Sequence, residues 1–456
     1  MGHPLQHMLQ DFMLQDSMLK DLERADGPLR LSNCQVPVGA LAATDVRPTR
    51  DGLAAVNIDI QGRQIVAIAP AREGSDAPSM GGALVLPVFA DLHTHLDKTY
   101  IAHRADNRRG TLWGAVEATR GDYVHWTEQD LHDRATFALR CAEAHGTAFM
   151  RSHLDSLGPQ AERSWRVMDG LRRQWADRIK LQLVAMVPIE FYLQDGAKGL
   201  GARVAAAGGL LGGVVRVMGL PPEEEANVQA RALDALFALA RLYDLDVDLH
   251  VDETLDTQAN GLEAVAAATL RHDWSGRVTC GHCCSLSIHD DPKREAILAL
   301  CGQAGVRIVS LPLINTFLQD RGEGRTPRWR GLPPLQEIAA CGIDHALASD
   351  NCGDPFHPYG DYDLLEVLRE TARTAHLPNL AAWSAAVTTQ PAAAMGFDSR
   401  LRPGGSADLI VFNARSMGEW LRRPQADRIV IRNGRRSTAA LPAFSDLDSL
   451  TPIGHY

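Results

Sequence analysis

The chain has 456 residues, 45% of them hydrophobic and 22% charged, with a net charge of −10. That length can bury a large core, and the composition is globular rather than disordered or fibrous. The acidic balance and the lack of any basic block argue against nucleic acid as a partner, and without an apolar run of about 18 residues no membrane-spanning helix is expected.

Residues 1–27 carry Leu5, Met8, Leu9, Phe12 and Met13 at helical spacing, with Gln10, Asp11 and Asp16 between or after them. There is no basic start and no uninterrupted apolar core, so a signal peptide is not expected here. An amphipathic helix that packs on the body or on a neighbouring subunit is expected, in a cytoplasmic homo-oligomer. Residues 28–82 alternate in strand-like pieces (29–36, 54–60 and 64–68) punctuated by Gly, Asp and Pro. From 83 to 399, β-rich runs alternate with Ala- and Leu-rich helical stretches. Strands are expected at 83–92, 147–154, 180–188, 212–219, 246–251, 277–282, 307–315 and 345–349. Eight β/α units predict a (β/α)8 barrel of the TIM type. A doubly wound open sheet is the alternative, but no Gly-rich phosphate turn follows any strand. Residues 400–444 return to short strands at 407–412 and 428–432, with Asn433-Gly434 as a hairpin turn. The two flanks are expected to pair into one small β-sandwich domain, leaving a tail at 445–456.

Eight cysteines (Cys34, Cys141, Cys280, Cys283, Cys284, Cys301, Cys341 and Cys352) are scattered too widely for a disulfide framework. The stretch Cys280-Gly281-His282-Cys283-Cys284 resembles half a structural zinc site, but no second pair lies at a suitable spacing. Buried, reduced thiols are expected.

The informative feature is His93-Thr94-His95 at the end of the first barrel strand. Alternate residues share a strand face, so the two imidazoles converge. Seventeen histidines in 456 residues give roughly 0.6 His-x-His triplets by chance, so the dyad alone decides little. Barrel chemistry gathers at the carboxyl ends of strands. Those ends carry His93 and His95 (strand 1), His153 (strand 2), His250 and Glu253 (strand 5), His282 (strand 6) and Asp350 (strand 8). Three histidines and one carboxylate, His93, His95, His250 and Asp350, make a donor set for one divalent ion, Zn²⁺ or Fe²⁺.

At these residues the chain resembles the amidohydrolase superfamily, in its cytosine deaminase branch. The segment from Leu86 to Thr99, centred on His93-Thr94-His95-Leu96-Asp97-Lys98, is similar to the family's first metal motif. Asp248-Leu249-His250-Val251-Asp252-Glu253, Gly281-His282, Pro312-Leu313-Ile314-Asn315 with Leu318-Gln319 and Arg321, and Ser349-Asp350-Asn351-Cys352-Gly353-Asp354-Pro355 resemble its motifs on strands 5, 6, 7 and 8. Residues 404–411 resemble the return to the sheet domain, so the likeness spans about residues 28–440.

The resemblance implies a metal-dependent hydrolase that breaks a C–N bond of a small nitrogen heterocycle, releasing ammonia or an amine. His93, His95, His250 and Asp350 would hold the metal. No lysine occurs in 212–220, where two-metal members carry a carboxylated one, which favours a mononuclear site. Glu253 would move a proton from water to a ring nitrogen; a solvated loop carboxylate is its alternative. His282 would hydrogen-bond the attacking hydroxide or the developing charge, and Asp350 could also deliver a proton to departing ammonia. Lys98, Ile189, Asn315, Gln319, Asn351 and Phe356 are the expected substrate-facing residues. Lys98 resembles the isopropylammelide amidohydrolase type; a solvent-facing lysine paired with Asp97 is the alternative. Cytosine deaminases carry a glutamine where Ile189 stands, and an apolar side chain cannot read an amide edge, which points away from cytosine. Asn351 stands where an acid commonly follows the strand-8 ligand. A hydrolase of cyclic or acyclic amides fits the same residues. A catalytically inactive binding protein fits less well, because the ligand and shuttle set is complete. The small zinc deaminases are excluded by the absent P-C-x-x-C motif.

Overall fold

The computed structural model describes residues 28–42, 46–71, 79–217 and 219–450, so the expected N-terminal helix lies outside the described residues. In chain order the strands are β1 (Leu29–Pro37), β2 (Leu53–Gln61), β3 (Gln64–Pro70), β4 (Leu84–Pro87), β5 (Phe89–Thr94), β6 (Thr147–Asp155), β7 (Lys180–Met186) and β8 (Leu210–Val215). They continue with β9 (Val247–Val251), β10 (Val278–His282), β11 (Arg307–Ser310), β12 (His345–Leu347), β13 (Leu409–Phe412), β14 (Ile429–Arg432) and β15 (Arg435–Arg436). They fall into two compact units.

The first unit holds the described residues up to Ala90, with Glu143–Ala148 and His376–Ala440. Its seven-stranded mixed sheet runs β15-β14-β13-β4-β1-β2-β3, joining strands from both flanks. The joint is made where β4 pairs parallel with β1 and antiparallel with β13. Leu31, Val56, Ile58, Ile65, Leu409 and Ile431 are buried together in its core. The Asn433-Gly434 turn links β14 to β15 with both residues at positive φ (53° and 73°), as a type I′ hairpin requires.

The second unit holds Asp91–Ala142, Phe149–Ala375 and the described residues from Leu441. Its eight-stranded sheet runs in strict chain order from β5 to β12, and a parallel bridge between Thr94 and Asp350 closes it. Helices alternate with the strands and are capped by their own sequence. Pro222–Tyr243 opens with Pro at its first turn and three glutamates behind it, and stops at left-handed Asp244. Asp291–Ala304 opens where the Asp290 side chain accepts the Lys293 N–H, and ends at left-handed Gly305.

The run expected at 212–219 forms a strand over Leu210–Val215, and two other expected strands differ more. The run 83–92 is two strands in two sheets, because its every residue is buried and an unbroken apolar run carries no sign of where one sheet ends. The run 307–315 stops as a strand at Ser310, and Pro312 opens the helix Pro312–Leu318, the position where a fixed φ and missing N–H favour a helix start.

Candidate metal centre

The strand ends bring four donor atoms together. His93 is the penultimate residue of β5 with His95 just beyond the strand, His250 lies on β9, and Asp350 follows β12. His93 Nε2 lies 3.2 Å from His250 Nε2, which lies 3.3 Å from His95 Nε2. Asp350 Oδ1 lies 3.2 Å from His95 Nε2 and 3.6 Å from His93 Nε2. Tetrahedral ligands with bonds of about 2.0–2.1 Å sit about 3.3–3.4 Å apart, so the spacing is that of a coordination shell. His93 and Asp350 are fully buried, and neither carboxylate oxygen of Asp350 has a hydrogen-bond partner.

The electrostatics agree with that geometry. Burial and the neighbouring histidines hold His93 and His95 well below the usual imidazole range, and burial lowers His250 to about 3. Neutral imidazoles present lone pairs. Burial, with Glu253 and Asp354 nearby, pushes Asp350 well above the usual carboxylate range. A divalent cation reverses that balance, supplying the charge that a buried carboxylate lacks. The residues fit a metal.

The surrounding chain fixes these groups. Asp350 and His282 have φ of 63° and 70°, the left-handed region uncommon for residues other than glycine. The Asp350 N–H donates to the His93 carbonyl at 2.9 Å. Asp91, which sequence reasoning missed, accepts from the Ser349 N–H and hydroxyl at 3.2 and 2.5 Å. Its signal was a carboxylate two residues before His93, on the same strand face.

Glu253 Oε1 lies 3.7 Å from His282 Nδ1, with the Glu253 side chain 15% exposed. Burial raises its carboxyl to about 8 although Lys98 and Arg216 pull the other way. Asn315 Nδ2 lies 3.0 Å from His282 Nδ1, so Asn315 is placed to orient the His282 ring.

Lys98 is buried, and its ammonium donates to Asp155 Oδ1 at 2.8 Å rather than pairing with Asp97 in solvent. The second Asp155 oxygen accepts from the Tyr123 hydroxyl at 2.7 Å. Sequence reasoning found neither partner, because both come from other segments of the chain. The Lys98 Nζ lies 5.5 Å from the Phe356 ring centre. Asn351 donates to Asp354 Oδ2 at 2.5 Å, and Asp354 Oδ1 accepts the backbone N–H of Phe356 and His357. Gln319 is buried just past the helix Pro312–Leu318, beside Gly331. Ile189 is fully buried in the barrel's main apolar cluster. Val214, in register with His250, is 37% exposed.

A closed parallel barrel with a histidine–aspartate cluster at its strand ends defines a hydrolase of the amidohydrolase type. The chain belongs to the amidohydrolase family, whose model matches residues 129–437, and it acts on carbon–nitrogen bonds. It is 43% identical to a pterin deaminase of Rhizobium rhizogenes (strain K84) over 92% of this chain and 96% of the relative. It is 27% identical to an N-isopropylammelide isopropyl amidohydrolase of Pseudomonas sp. (strain ADP), over 83% and 92%. Its fold is similar to that of 5-methylcytosine deaminase from Klebsiella pneumoniae, with a TM-score of 0.77 at 24% identity, covering 90% of this chain and 98% of the other. No described helix is long and apolar enough to cross a membrane.

Proposed function

We propose that this chain is a mononuclear metal-dependent deaminase of an aminated, oxo-substituted heterocycle, with a pterin-type ring as the first candidate. The observation that carries the reading is the convergence of three imidazole nitrogens and the Asp350 carboxyl at coordination spacing beside the half-buried Glu253 carboxyl. The 43% identity to a pterin deaminase directs the choice of ring.

His93, His95, His250 and Asp350 would hold one Zn²⁺ or Fe²⁺. When bound, such an ion supplies Lewis acidity that brings the pKa of water near neutrality. Glu253 takes one proton from the water whose oxygen bonds to the amidine-type carbon, and passes it to the adjacent ring nitrogen. His282, oriented by Asn315, hydrogen-bonds the charge that develops as the carbon becomes tetrahedral. The free Asp350 oxygen takes the remaining proton from the hydroxyl on that carbon and hands it to the departing nitrogen. The C–N bond breaks, ammonia leaves, and the carbon is left as a carbonyl. Lys98, fixed by Asp155 and Tyr123, donates to the ring oxo group, while Phe356, Gln319 and Asn351 line its surroundings. An apolar Ile189 leaves cytosine a poor substrate.

The test is an ammonia-release screen of purified, metal-reconstituted protein across pterins, pyrimidines, triazines and creatinine. Turnover of a pterin with kcat/KM above about 10⁴ M⁻¹s⁻¹, within the ordinary enzyme range, supports the reading. No ammonia from any aminated ring, with hydrolysis of amides instead, would overturn it.

A further inference from the structure

His153 lies near the carboxyl end of β6, beside the candidate ligand His93, yet no step above uses it. It is fully buried, and both its ring nitrogens lack a hydrogen-bond partner. A buried polar group in that state calls for a cause. Its ring stacks on His93, with centres 3.9 Å apart and planes 28° apart. Its Nε2 lies 3.6 Å from Asp248 Oδ1.

Asp248 is equally buried and is held from its other side. Its Oδ2 accepts from Arg151 Nη1 at 2.6 Å, and Arg151 gives two further bonds to Gln182 Oε1 at 3.1 and 2.9 Å. Oδ1 is left without a hydrogen bond. A ring nitrogen of His93, one of His153 and a carboxylate oxygen of Asp248 all lie within 4.8 Å of one another. The Arg151 guanidinium against Asp248 already supplies a cation, which disfavours a second metal there. What the trio offers is an acceptor. Metal-bound histidines ordinarily give their second N–H to a carboxylate, carbonyl or water, and that bond fixes the ring and strengthens the donor. His93 Nδ1 has no such partner. On β10, a Cβ at Gly281 would stand 3.0 and 3.1 Å from His93 Cε1 and Nδ1, so the ring is closely confined.

We propose that His153 and Asp248, braced by Arg151, are positioning residues that fix the His93 ring and lend it the negative charge of the Asp248 carboxylate. Sequence position allows the layer to be recognised: Arg151 and His153, like Asp248 and His250, are two residues apart on one strand face. The inference rests on the reading of His93 as a ligand.

The experiment uses the full chain, stripped of metal, with Zn²⁺ and Co²⁺ as probes. His153→Phe keeps a flat ring against His93 and removes its nitrogens; Asp248→Asn keeps the shape and removes the charge. Chelator competition should show Zn²⁺ bound about 10–100-fold more weakly in each. The cobalt absorption spectrum should shift, and kcat should recover at saturating metal with KM unchanged. The melting temperature of metal-free His153→Phe should match that of the parent. Should Asp248→Asn fail to fold, His153→Phe decides. Unchanged Zn²⁺ affinity and cobalt spectrum in His153→Phe would overturn the proposal, as would an affinity loss that metal-free stability loss fully accounts for. His93→Ala in the same assay keeps the two readings apart. If it binds Zn²⁺ normally, the ligand assignment fails; if it alone loses Zn²⁺, only the support does.

Discussion

The backbone N–H of Asp350 donates to the carbonyl of His93 at 2.9 Å, joining the first and last barrel strands at the level of the candidate metal. One hydrogen bond thus closes the sheet and sets two donors side by side. Asp350→Asn keeps this backbone bond and removes only the charged donor. Metal content after dialysis, measured by elemental analysis, should fall to below about a tenth of an equivalent, since losing an anionic ligand weakens binding steeply. Retention of a full equivalent would show that Asp350 is not a ligand.

Glu253→Gln retains the shape of the side chain and removes its proton. The turnover rate should fall by roughly 10²–10⁴-fold while the metal stays bound. Near-parental turnover on a good substrate would return Glu253 to the role of a loop carboxylate.

The same residue makes stability depend on pH in the metal-free protein. Burial raises the Glu253 carboxyl from its ordinary 4.5 to about 8. The folded state therefore holds this proton more tightly than the unfolded chain. The contribution is complete below pH 4.5 and is lost as pH rises through 8. Metal-free parent and Glu253→Gln should melt with a near-constant difference below pH 4.5. From pH 4.5 upward the Gln variant should gain on the parent, by an amount that levels off past pH 8. A difference independent of pH between 5 and 9, read by melting curves at about one-unit intervals, would contradict the burial argument.

Lys98 offers a third handle. Its ammonium spends one donor on Asp155 at 2.8 Å. Lys98→Met should lower kcat/KM for an oxo-substituted ring by about 10–100-fold, the worth of one hydrogen bond from a charged group. Rings lacking the oxo group should lose much less. Equal losses on both kinds of ring would show that Lys98 serves the fold and does not read the substrate.

The barrel and the paired flanks could be read from the chain, because each rests on a local signal, and the strand ends supplied the candidate donors. Alternating β and helical runs mark the barrel, Asn433-Gly434 marks a hairpin, and His-x-His marks converging rings. Contacts between distant segments could not be read that way. Asp97 was the one ion partner for Lys98 that the sequence offered, as the alternative to a substrate contact, but Lys98 pairs with Asp155, 57 residues away. Asp248 and Arg151, 97 residues apart, meet only once two strands are in one barrel. The run through Pro87 and Val88 concealed a change of sheet, since both sheets bury it. A charged residue two positions before a histidine on a buried strand, Arg151 before His153 and Asp248 before His250, was the available hint.

The central claim is that one ion in the His93–His95–His250–Asp350 cradle supports deamination. Its most direct test is to titrate chelator-stripped protein with Zn²⁺, and separately with Fe²⁺, while recording ammonia release from a pterin. The rate should rise linearly and break at one equivalent per chain. Full activity without added metal, or a break at two equivalents, would contradict it.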